Sequence, residues 1–196
     1  MPLNHPPVAI SPGRPSAPTL LIIGRGIDAA KDKLIARWIG WLGERPTAGS
    51  AIEIAVLERP LRLILDLLVH MTGPMRHEAK EPWYAATELY GRLAEARGLS
   101  AGEVVEEVQY LRELLLLDMA DLFVALPVRH QLPALLRLSR VLDGAVANAT
   151  VGYTDALVEK MFSKDGVPVP TADSLAELLE QVAVLEADAR LLGERT

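Results

Sequence analysis

The chain has 196 residues, half of them apolar but only 5% aromatic, with a net charge of −6. That length supports one domain with a sizeable core, and the acidic balance counts against a nucleic-acid backbone or an anionic membrane as partner. The lack of cysteine excludes disulfides and thiolate chemistry and fits a reducing cytoplasm, and no apolar run reaches the roughly 18–20 residues of a membrane span.

Residues 1–26 are expected to form a flexible arm, because 1–18 hold six of the 14 prolines and no apolar run like that of a signal peptide. TLLII at 19–23 suits a short extended segment. GRG at 24–26 is too short and misplaced for a phosphate loop. Asp28 is the expected cap of a first helix to about Leu42, with Ile35, Trp38, Ile39 and Leu42 on one face. A second helical segment spans about 51–71, and Pro60 predicts a kink or two shorter helices. TGPMRHEAKEP, 72–82, is a polar loop by composition. A third helix runs from near Trp83 to Gly98. Ser100 caps a fourth, with Glu103 three residues later in a capping box, and Pro127 ends it. A fifth begins with Pro133 in its first turn and runs to Phe162, Gly144 and Gly152 marking close helix contacts. The expected organisation is an all-α bundle of five to six helices, with a sensor-like domain over 27–164, a linker at 165–172 and a coiled-coil-like helix at 173–193.

Residues 90–114, YGRLAEARGLSAGEVVEEVQYLREL, share the turn of a DNA-reading helix-turn-helix. Their chemistry does not. From Leu99 to Leu126 there are six acids and one base, Arg112, a surface that a phosphate backbone repels. The apolar stripe Val104, Val108, Leu111, Leu115, Met119, Leu122 is also that of a long core helix. A DNA-binding regulator is therefore the weakest functional reading.

Catalytic and metal chemistry find little footing. His5, His70, His77 and His130 show no ligand spacing. His70 follows an apolar helix and is the best axial-ligand candidate for a haem, yet no cofactor is expected. Ser100 is a cap rather than a nucleophile, and Glu106 and Glu107, about 100° apart on a helix, suit a solvated face. Arg112 lies at the edge of the core stripe, where its head can pair with Asp143 of the fifth helix or remain in water. His70, Trp83, Tyr84 and Tyr90 are the candidate ligand pocket, Trp83 and Tyr90 being two turns apart on one face. Ordinary core packing is the blander alternative for them.

In the last helix Leu175, Leu178, Val182, Leu185, Ala189 and Leu192 follow heptad spacing. A helix this short must bury its seam. A homodimer through the same helix of a second chain is the favoured partner. Folding back on its own bundle is the alternative.

Gly91, Gly98, Leu99, Ser100, Glu103, Glu107, Leu111, Arg112, Leu142, Asp143 and Ala145 together resemble the N-terminal domain of RsbRD-type co-antagonists, the stressosome sensor family. Tyr90 stands where that family commonly has His, and Val108 where it has an aromatic residue. The resemblance covers about residues 30–162. It implies an all-α, sometimes globin-like, non-catalytic signalling input domain, usually dimeric and haem-free, that couples to a protein partner such as a kinase, a phosphatase or a stressosome component. A scaffold protein with no ligand pocket is the alternative, and a core filled by large side chains would favour it.

Overall fold

A computed structural model describes residues 15–45, 54–162 and 172–194. Among them the chain forms seven α-helices: α1 (Ala17–Glu44), α2 (Glu58–Thr72), α3 (Arg76–Ala96), α4 (Ala101–Asp118), α5 (Ala120–Ala125), α6 (Val128–Phe162) and α7 (Ala172–Gly193). A 3₁₀ turn, Ile54–Leu57, leads into α2. The all-α bundle expected from the sequence is the fold, and Pro60 indeed separates two helical pieces, standing in the first turn of α2 where it costs no hydrogen bond.

Helix α1 starts eleven residues before Asp28, so the arm does not extend to residue 26 and Asp28 caps nothing. Ser16 is the cap. It is extended, its side chain accepts from the Thr19 N–H, and Pro18 sits in the first turn, where a missing N–H is tolerated. TLLII is helical because Leu20, Ile23 and Ile27 continue the buried face of Leu34, Ile35, Trp38 and Leu42. A short apolar run carries no periodicity of its own to show this. GRG lies inside the same helix. The first 14 residues of the expected arm and most of the expected linker fall outside the described residues.

The expected loop at 72–82 shrinks to three residues, since α3 begins at Arg76. Ala79, Trp83, Ala86, Tyr90 and Leu93 form one buried face at spacings of four and three, and that burial holds the helix through Pro82 despite the lost backbone bond. α3 closes on Gly98, at φ 78, with Gly98 N–H donating to Glu95 O and Leu99 N–H to Ala94 O. This is a Schellman stop, and Leu99 is buried behind it. α4 then starts with both arms of the Ser100–Glu103 capping box in place.

The single fourth helix expected to Pro127 is broken at Met119. Met119 is buried, and a side chain at Gly26 of α1 would collide with Leu122 at 2.4 Å, so the break lays α5 against a gap that glycine opens. α6 begins five residues before Pro133, and Arg137 reaches from it to donate to Gly73 O at the end of α2 (3.1 Å). Gly144 marks no close contact. Gly152 does, together with Gly91. A Cβ on Gly91 would lie 1.9 Å from Ala149 O, and one on Gly152 2.0 Å from Glu88 O, so α3 and α6 cross backbone on backbone.

Candidate functional site

The pair expected between Arg112 and Asp143 is present: the guanidinium donates to Asp143 Oδ1 and ties α4 to α6 at the surface. The candidate pocket is not assembled. Trp83 and Tyr90 are fully buried in the core, but Tyr84, one residue on, faces solvent with the Lys80 ammonium 5.3 Å from its ring centroid. His70 lies on α2 and lines a groove to which none of the three contributes. Tyr90 packs at 5.7 Å against Trp38, and the space among Trp38, Ile64, Thr87, Tyr90, Val108 and Leu111 is about 10 Å³. That is about one probe sphere, so the interior here is filled by side chains.

The most tightly built polar cluster was not anticipated. Glu107 is not on a solvated face. It is 1% exposed and accepts two bonds from Arg97, at 3.0 and 2.8 Å, and a third from the Tyr90 hydroxyl at 2.5 Å. Arg97 is 3% exposed. The fork geometry of guanidinium on carboxylate satisfies both charges where water cannot. Burial, reinforced by the Glu107 charge, raises the Tyr90 pKa well above its ordinary value, so it stays a neutral donor. Burial alone would lower Arg97, but the bonds to Glu107 outweigh it. The sequence held a signal for this: Glu107 falls inside the stripe Val104, Val108, Leu111. Arg97, ten residues earlier across a turn, had no such marker.

The heptad seam of α7 is buried, against its own bundle. Val182, Ala189 and Leu192 are inside, Leu178 and Leu185 pack on the core, and Leu175 is half-buried. α7 lies over α2 and α3 and is pinned by Arg59, whose guanidinium donates twice to Glu186 (3.2 and 2.7 Å). The seam takes the fold-back alternative rather than a second chain's helix: its apolar positions are spent on α2 and α3, which supply the apolar surface a second α7 was expected to bring.

Beside α7 runs a groove of about 710 Å³, lined by Asp28, Arg62, Asp66, Val69, His70 and Arg190 among others. Lys31 bridges Asp28 and Asp66 on its edge. Burial would lower Lys31, but the two carboxylates win and raise it. His70 is lowered by burial, which outweighs the opposing pull of Asp66. Among the described residues no three carboxylates, histidines or cysteines gather as a metal site, and no helix is long and apolar enough to cross a membrane. No family model, curated protein or solved structure matches the chain.

Proposed function

We propose that this chain is a non-catalytic signal-transduction adaptor that works by protein contact, acting in the cytoplasm with an output partner of the kind the RsbRD resemblance suggests: a kinase, a phosphatase or a stressosome-type component. The observation that carries the reading is where the apolar surface lies. The filled interior around Trp38 and Tyr90 suits an adaptor and a scaffold alike, and the reading rests on Leu117, Val124 and Val128, which stand in solvent around the α4–α5–α6 corner, Val128 82% exposed. Gln131 donates to Val124 O and Leu126 O and holds this corner in shape. Exposed apolar side chains clustered on a fixed corner are characteristic of partner sites. A photo-crosslinking amino acid at Val128, in the native host, is the test. One discrete adduct identified by mass spectrometry as a signalling protein supports the reading. Adducts with copies of the chain only, or none, overturn it.

The groove beside α7 favours a second reading, in which the adaptor also answers to a small molecule. Its volume is within the roughly 300–1,000 Å³ of ligand sites, and its walls carry both signs of charge over an apolar floor of Leu63, Val69 and Ala189. Such walls suit a zwitterion. Free amino acids screened by NMR should shift the His70 ring protons, and Arg190→Ala should abolish the shift. No shift across the set removes this reading.

A further inference from the structure

Among the described residues, helix α6 turns one face to α3 and leaves most of the opposite face in solvent, where Asp143, about 40° from Ala147, is held by Arg112 of α4. Leu138, Val141, Leu142, Ala145, Ala149 and Gly152 are buried. Taking Ala147 as the centre and 100° per residue, Leu132, Leu136, Arg140, Val151, Val158 and Met161 all fall within about 60° of it, on the far side. From Gly144 the outer positions Ala147, Val151, Thr154, Val158 and Met161 follow spacings of 3, 4, 3, 4 and 3, the seam of a paired helix. Val151 is 52% exposed and Met161 69%. A Cβ on Gly144 would meet nothing within 4 Å, so another helix can come close there.

We propose that this face is the self-association surface of the protein, occupied by α6 of a second copy running antiparallel, with the two-fold axis beside Ala147. Two features select that occupant. First, the charges match. Arg140 and Asp155 are both exposed, and neither forms an ion pair among the described residues. They lie seven positions before and eight after Ala147, so the antiparallel pair sets Arg140 beside the second copy's Asp155, twice by symmetry, whereas a parallel pair would set Arg140 against Arg140. Second, the other heptad seam, on α7, is already spent inside the chain. The surface is separate from the corner around Val128, about 100° around the helix from Ala147, so adaptor partner and second copy need not compete.

The test uses the full chain. Sedimentation velocity should show a dimer. Val151→Glu with Val158→Glu, both at exposed positions that leave the core intact, should make it a monomer with an unchanged circular dichroism spectrum. Arg140→Glu and Asp155→Arg should each weaken the dimer at least about tenfold, and the two together should restore it. Because the chain has no cysteine, Ala147→Cys supplies a direct probe of the axis: mild oxidation should link two copies. A monomeric wild-type chain, or a dimer indifferent to the two glutamates, overturns the surface. Charge variants that fail to rescue each other, or an Ala147→Cys that does not link, overturn the antiparallel register.

Discussion

Where α3 meets α6, Gly91 and Gly152 bring backbone onto backbone with no room for a methyl group. Where α3 meets α7, the contact is made by side chains, and a groove of about 450 Å³ runs between Leu89 and Arg92 on one side and Val184 and Leu185 on the other. The first contact leaves its partners no slack, and Tyr90 beside it is tied to the buried Arg97–Glu107 pair that joins α3 to α4. The second is held by three buried residues of α7, Val182, Ala189 and Leu192, and an exposed ion pair. One helix thus has a permanent side and a releasable side, and the difference comes from how closely the two partners approach.

The comparison can be broken most severely at Glu107. Glu107→Leu leaves the Arg97 guanidinium buried without a carboxylate and should cost roughly 3–5 kcal/mol in urea unfolding, while the double variant with Arg97→Met should recover most of it. An additive double variant would show that the two groups are not one unit. Gly91→Ala comes next. The three atoms nearest the new methyl are all backbone, so the loss should reach or exceed the upper end of the roughly 1–3 kcal/mol usual for overpacking. A near-neutral result would mean that the helices separate easily there.

On the releasable side, Val182→Asp should undock α7 and leave the rest folded. Hydrogen exchange should then show α7 amides unprotected and α3–α6 amides unchanged, with a loss of about 2 kcal/mol or less in the unfolding of the remainder. Loss of protection throughout would make α7 part of the core. Arg112→Ala removes a surface pair and should cost no more than about 1 kcal/mol. The smallest effect is a pH slope at His70. Burial lowers its pKa, so below the ordinary value of 6.5 the unfolded chain takes up a proton that the folded chain resists. Stability should therefore fall as pH drops from 6.5 towards the folded pKa and be unaffected by this group above 6.5. His70→Gln should flatten urea midpoints in that window.

Several expectations failed for one shared reason. Thr19–Ile23 and His77–Pro82 read as non-helical chain because each is short and ambiguous, one apolar without periodicity and the other polar and ending in proline. Each became helical by extending the buried face of the helix next to it. The pocket of His70, Trp83, Tyr84 and Tyr90 failed differently. Helical spacing correctly put Trp83 and Tyr90 together, and the same spacing, followed one residue further, sends Tyr84 outwards. The Arg112–Asp143 pair was anticipated because it needed only a position at the edge of a stripe and one opposite charge on the helix packed against it.

What the sequence by itself determined is what is settled within a few residues. Gly98 stops α3, Ser100 and Glu103 start α4, Pro60 splits off the turn before α2, and the spacing of Val182, Ala189 and Leu192 declares which side of α7 must be buried. Those choices rest on hydrogen bonds and periodicities spanning about one turn, and any context would make them the same way. What only the tertiary structure decided is the identity of each partner. Glu107 could be solvated or buried until Arg97 and Tyr90 closed on it. Gly91 is an ordinary small residue until Ala149 arrives. The α7 seam fits any apolar surface, and Arg59, 127 residues before Glu186, helps hold it on its own bundle. Apolar burial is non-directional, so a stripe states how much surface must leave water and on which face, and the rest of the fold chooses against what.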